Sequence, residues 1–100
     1  MRSPSAGRIK LAPTQRFYKD LARLPDRLQT RVWDKLQLFV ENPTHPSLRV
    51  KKMRGRERIW ELSVTREYRI TFEWREDAES DVERVAILRR VGTHDVLKRP

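Results

Sequence analysis

Trp60-Glu61-Leu62-Ser63-Val64-Thr65-Arg66-Glu67-Tyr68-Arg69-Ile70-Thr71-Phe72-Glu73-Trp74 alternates apolar and polar residues on both sides of a short polar break. Trp60, Leu62 and Val64 fall on one face of a strand, Glu61 and Ser63 on the other. After the break, Tyr68, Ile70, Phe72 and Trp74 oppose Arg69, Thr71 and Glu73. A period of two marks half-buried strands, and two such runs this close together predict an antiparallel hairpin. The pattern also fixes the register, because a slip of one residue turns a whole face over. A two-residue loop would place Val64 against Arg69 and mix the faces. A three-residue loop, Thr65-Arg66-Glu67, pairs Val64 with Tyr68, Leu62 with Ile70 and Trp60 with Phe72. It also sets Ser63 beside Arg69 and Glu61 beside Thr71. Glu67 is poorly suited to the left-handed position that such loops favour.

Just upstream, the stretch from Leu48 to Arg58 carries six basic residues and one acid in eleven positions. Gly55 marks a turn within it. Lys51, Lys52, Arg54, Arg56 and Arg58 form a basic ribbon, whose mutual repulsion a bound polyanion would relieve. A solvated charge run is the plainer alternative. Nearer the start, Ile9 and Leu11 alternate with Arg8 and Lys10 as a short first strand. Pro13-Thr14 then opens a helix with Thr14 as N-cap, and Phe17, Leu21 and Leu24 fall at helical spacing. Pro25 interrupts, and Asp26 lies in the first turn of a second helix. Its stripe is Leu28, Val32, Leu36, Phe39 and Val40, and Glu41-Asn42-Pro43 stops it. The short link predicts a helical hairpin.

Downstream, Arg84 to Val91 reads as the last strand, and its continuous Val85-Ala86-Ile87-Leu88 predicts a central position covered on both faces. The segment Glu73–Glu83, with six acids and one Arg, is expected to be the exposed connection before it. The expected fold is α+β with the order β-α-α-β-β-β. A two-helix hairpin covers one face of a small, mostly antiparallel sheet. The other, polar face carries Glu61, Ser63, Arg69 and Thr71. Residues 1–7 are expected to be a disordered lead to a single domain over 8–100.

One hundred residues suit one domain. The net charge of +9 is segregated rather than uniform, which points to one oriented face for a polyanion or an acidic protein partner. Without cysteine there is neither a disulfide nor thiol chemistry, which is compatible with a reducing compartment. No apolar run is long enough for a membrane span, and no hydrophobic segment follows the first basic residues. The expectation is therefore a cytoplasmic protein without a membrane partner.

Among residues able to carry chemistry, Arg69 is a candidate phosphate clamp, because a rigid guanidinium can bind two phosphate oxygens through parallel hydrogen bonds. An ion pair with Glu61 is the structural alternative. His94, in Gly92-Thr93-His94-Asp95 at the end of the last strand, is placed to exchange protons, with Asp95 able to orient it. Closing the fold by a backbone hydrogen bond is its alternative. His45, between two prolines, reads as a loop residue. Two distant histidines without cysteine make a poor metal site, and no cofactor is expected. Trp60, Phe72 and Trp74 follow the apolar face and read as core rather than base-stacking platforms. There is no phosphate-cradling glycine loop and no Ser-His-Asp or Cys-His spacing.

The order and spacing of Lys52-Met53-Arg54-Gly55, Trp60-Glu61-Leu62, Tyr68-Arg69-Ile70 and Val91-Gly92-Thr93-His94-Asp95 resemble the RelE/ParE superfamily of bacterial toxins, from about Ile9 to the end. The resemblance implies the toxin of a type II toxin–antitoxin pair, held by an acidic antitoxin. Its RelE branch comprises ribosome-dependent mRNA endonucleases, and its ParE branch inhibits DNA gyrase. The Gly-Thr-His ending is similar to that of RelE-side members with a C-terminal histidine. On that resemblance His94 matches the general acid/base, Arg69 the phosphate-stabilising arginine, and Lys52 and Arg54 match basic positions on the RNA backbone. Two departures stand out. Glu61 and Ser63 lie where some relatives carry lysines, and Val96, Leu97 and Lys98 lie where some carry an aromatic residue.

The implied reaction is metal-free RNA cleavage by 2′-OH attack, with His94 as acid, Arg69 stabilising the phosphorane and Glu61 as a possible base. Ribosome and mRNA are the expected partners, with ribosomal RNA as the large polyanion. The alternatives are a gyrase inhibitor without catalysis, or a toxin-fold module that only binds an antitoxin or nucleic acid.

Overall fold

The computed structural model describes residues 8–75 and 83–100. The lead expected over residues 1–7 and most of the acidic connection expected before the last strand lie outside them. Five strands and two helices run in the order β1 (Arg8–Pro13), α1 (Gln15–Ala22), α2 (Asp26–Glu41), β2 (Lys51–Lys52), β3 (Trp60–Ser63), β4 (Tyr68–Arg75) and β5 (Glu83–Thr93). The sheet order is β1-β5-β4-β3-β2. Only β1 and β5 run parallel; the other three pairs are antiparallel. The two helices pack on this mixed sheet, giving the expected α+β class. The short strand β2, within the basic ribbon, was not expected.

Each helix begins where its chemistry dictates. The Thr14 hydroxyl accepts from Phe17 N–H (3.1 Å) and donates to the Leu88 carbonyl (2.8 Å), so the N-cap of α1 is also tied to β5. Pro25 ends the first segment, and α2 starts at Asp26. Phe17, Leu21, Val32, Leu36 and Phe39 are buried against the sheet, where Leu62, Ile70, Phe72, Ala86 and Leu88 meet them. Phe39 packs on Phe72 and Trp74 with ring centroids 5.1 and 5.7 Å apart. The tryptophans of the hairpin thus belong to the core layer, as their spacing predicts.

The hairpin has the register read from the sequence: Trp60 opposite Phe72, Glu61 opposite Thr71, Leu62 opposite Ile70 and Ser63 opposite Arg69. Its loop needs no left-handed residue; among the described residues only Arg49 and Gly55 have positive φ. Instead, the Thr65 hydroxyl accepts from the N–H groups of Glu67 (3.2 Å) and Tyr68 (3.1 Å), a side chain mimicking a turn's backbone.

β5 pairs on both sides, as its apolar run predicts, but it is longer than expected and contains a bulge. Thr71 faces Arg90 and the next residue, Phe72, faces Leu88, so Arg89 is extra. Residues three apart normally point to opposite faces. The inserted residue lets both Leu88 and Val91 enter the core and frees two consecutive arginines for ion pairs.

The polar sheet face differs from expectation. Glu61, Ser63 and Thr71 are buried rather than open. After β5 the chain makes a 3-10 turn over His94–Leu97 and folds back over this face. Val96 is buried there, and the Pro100 oxygen accepts from Thr71 Oγ1 (3.2 Å) and Arg89 Nε (3.0 Å). Gly92 permits the fold-back: a Cβ at this position would lie 2.8 Å from Val96 Cγ1.

Candidate active site

The covered face leaves a cleft of about 460 Å³ whose lining includes Arg49, Lys51, Glu61, Ser63, Arg69 and His94. These residues come from the turn before β2, from β2, β3 and β4, and from the turn after β5. The register explains the meeting. Lys51 lies opposite Glu61, Ser63 opposite Arg69, and Arg69 opposite Gly92, two residues before His94.

Arg69 is held rigidly. Its Nη1 donates to the carbonyls of Arg66 (2.7 Å) and Thr65 (2.8 Å), with a longer contact to Tyr68 O at 3.3 Å. Its Nε stands 3.6 Å from Glu61 Oε1, beyond hydrogen-bond distance for a direct N–H donor. Nη2 makes no hydrogen bond among the described residues. The guanidinium is therefore aimed by loop backbone and retains donors for an anion. The ion pair with Glu61, the structural alternative for Arg69, is present but loose, and it does not consume the fork.

Glu61 sits among Lys51, Arg69 and the buried Thr71, with little of its surface exposed. His94 is exposed at the first position of the 3-10 turn, and its ring makes no hydrogen bond among the described residues. Asp95, expected to orient it, lines a different hollow with Arg90 and Arg99 and makes no contact with His94 among the described hydrogen bonds and ion pairs. The chain positions His94 through Gly92 and Val96 instead.

The basic ribbon divides. Lys51 lines the cleft. Lys52, opposite Trp60, projects toward the other face of the sheet. Arg54 and Arg58 are exposed in the connection between β2 and β3 and lie outside the cleft lining. Arg56 donates from Nη2 to the Lys98 carbonyl (3.1 Å), so it clips the C-terminal segment to the ribbon. His45 is structural, as its loop context suggests: its Nδ1 accepts from Ser47 N–H at 3.1 Å and caps the 3-10 turn Pro46–Leu48. Arg49 follows that turn and enters the cleft without having been singled out in the sequence. Its left-handed backbone leaves no signature in a residue type that is neither Gly nor Asn.

A second arginine–carboxylate pair also went unread. Arg90 grips Asp20 of α1 with Nε to Oδ2 at 2.8 Å and Nη2 to Oδ1 at 2.9 Å, and Val91 N–H adds a third bond at 3.2 Å. Burial pushes the Asp20 carboxyl up. The Arg90 and Val91 hydrogen bonds and the charges of Arg90 and Arg16 outweigh it and hold the group below its ordinary value.

No family model matches the chain, and no curated protein matches it. Solved structures do. A YoeB/ParE toxin from Agrobacterium tumefaciens superposes with a TM-score of 0.66 at 16% identity, covering 85% of this chain and 98% of that one. YafQ in the E. coli DinJ–YafQ toxin–antitoxin complex gives 0.63 at 14% identity, covering 90% and 97%. A RelB–RelE antitoxin–toxin complex from Methanococcus jannaschii gives 0.58 at 20% identity, covering 88% and 95%. Nearly the full length of each aligns, so the likeness covers the whole layered arrangement rather than one hairpin. The chain has the fold of the RelE, YafQ and ParE toxins of toxin–antitoxin pairs.

Proposed function

We propose that this protein is the toxin of a type II toxin–antitoxin pair and cleaves mRNA on the ribosome without a metal ion. The observation that carries the reading is the meeting of Arg69, His94, Glu61 and Lys51 in one cleft, from four separate parts of the chain. RNA cleavage by its own 2′-OH needs a proton acceptor, cations for the phosphorane and a proton donor for the leaving 5′-oxygen. Glu61 takes the 2′-OH proton as the O2′–P bond forms. Arg69 and Lys51 stabilise the added negative charge. His94 delivers a proton to O5′ as the P–O5′ bond breaks, leaving a 2′,3′-cyclic phosphate and a 5′-hydroxyl. The exposed Lys52, Arg54 and Arg58 serve docking to ribosomal RNA, outside the cleft. An acidic antitoxin is the proposed protein partner, and the cytoplasm the proposed compartment. Among the described residues no helix is long and apolar enough to cross a membrane.

Purified protein added to a translating extract, with mRNA ends mapped by primer extension, tests this reading. New ends that require ribosomes support it. Intact mRNA overturns it and directs attention to gyrase supercoiling.

A further inference from the structure

We infer that Arg49 is a substrate-phosphate clamp of the same cleft, holding an RNA phosphate next to the one that reacts. This inference rests on the cleft reading above. Three observations carry it. First, the cleft's central arginine can serve one phosphate only: Arg69 Nη1 is committed to loop carbonyls, and a single anion on Nε and Nη2 fills its remaining donors. Second, Arg49 lines the same cleft, is exposed, and makes no side-chain hydrogen bond or ion pair among the described residues. Its whole donor fork is available for bidentate binding of a phosphate.

Third, its backbone is left-handed, with φ 48° and ψ 46°. A residue with a Cβ adopts that conformation at a cost, and glycine adopts it freely. Surrounding structure enforces it. Leu48 is fully buried, His45 caps the preceding turn, and Arg49 N–H closes that turn on the Pro46 carbonyl at 3.2 Å. A long cation is thus fixed at a strained position that opens on the cleft, with no hydrogen-bond or ion-pair partner among the described residues.

Arg49→Gly separates fold from function, because glycine relieves the backbone while removing the guanidinium. The probe is a 2′-O-methyl RNA pentanucleotide, which cannot be cut, titrated at several salt concentrations against wild type, Arg49→Gly, Arg49→Lys and Arg69→Ala. Thermal unfolding is recorded for each. Arg49→Gly is expected to unfold at the wild-type temperature or above it and to bind about tenfold more weakly. The salt slope falls by about 0.7, one phosphate contact on a single strand. Arg49→Lys restores the slope but not the full affinity, because an ammonium lacks the fork. If Arg69→Ala weakens binding while Arg49→Gly leaves it unchanged, the clamp is overturned and the cleft stands. If wild type fails to bind, or neither variant changes the affinity, the cleft reading falls and the clamp with it.

Discussion

Of the three arginine–carboxylate pairs among the described residues, Asp20–Arg90 and Glu61–Arg69 share their chemistry and differ in everything else. In Asp20–Arg90 both carboxylate oxygens meet the guanidinium at 2.8 and 2.9 Å, and a backbone N–H completes the set. Arg90 spends a further donor on the Arg99 carbonyl at 3.3 Å, so the pair joins α1, β5 and the C-terminal segment. In Glu61–Arg69 the contact is single and 3.6 Å long, and the guanidinium is fixed by loop carbonyls instead of by its carboxylate. The first pair is closed and holds the fold. The second is held open, with oriented charges of both signs facing a cleft. An ion pair that satisfies itself stabilises structure, and one whose members are aimed by other groups keeps capacity for a ligand.

The largest effect is expected in the open region. His94→Ala should lower the cleavage rate by roughly 10²–10⁴-fold, the range for one proton-transfer group, with no change in melting temperature, because the exposed ring makes no hydrogen bond among the described residues. Rate and unfolding measured on the same preparation check both halves. In the closed region, Asp20→Asn should cost about 3 kcal/mol by leaving Arg90 without its counter-charge. Denaturant unfolding measures this directly.

That cost should depend on pH. The folded Asp20 carboxyl releases its proton more readily than the unfolded one, so the pair contributes its full stability above the ordinary carboxylate range. The contribution fades as pH falls through the lowered folded value. The gap between wild type and Asp20→Asn should therefore narrow in acid. A gap independent of pH would remove the charge from the explanation.

Gly92→Ala lies between the two regions and should cost about 1–3 kcal/mol, since the new methyl meets Val96 and must displace the turn that carries His94. It is expected to harm stability and cleavage together. Glu61→Gln should be the mildest, at about 1 kcal/mol or less, because the contact it removes is long and Arg69 keeps its backbone partners. Cleavage should still fall with it if Glu61 accepts the 2′-OH proton. A larger stability cost for Glu61→Gln than for Asp20→Asn would reverse the comparison.

What the sequence made legible follows the same division. Strict alternation of Trp60–Val64 and Tyr68–Trp74 gave strand, face and register, because only one pairing keeps every apolar residue on one side. Pro25, Thr14 and Asn42-Pro43 punctuated the helices through local chemistry. The Asp20–Arg90 pair was hidden, since its members are far apart in sequence and look like ordinary surface charges until α1 is laid across β5. The bulge at Arg89 was hidden for a related reason: the continuous apolar run before it sets no alternation, so an added residue just after it breaks no pattern. The covering of the polar face by Val96 and Pro100 depends on a fold-back that only Gly92 hints at. Lys51 and Lys52 read alike as sequence, and strand alternation alone sends them to opposite faces. Arg69 stood out as the cation on the polar face of a strictly alternating strand, and His94 as a proton-exchanging residue just past the last strand.

The most direct test measures cleavage of ribosome-bound mRNA by wild type, Asp20→Asn and His94→Ala, each below its own melting temperature, with the new 3′ ends analysed chemically. The expected result is 2′,3′-cyclic phosphate ends, wild-type cleavage by the destabilised Asp20→Asn, and loss of cleavage by the fully stable His94→Ala. Cleavage that survives His94→Ala while Asp20→Asn abolishes it would contradict the assignment of the open cleft as the catalytic site.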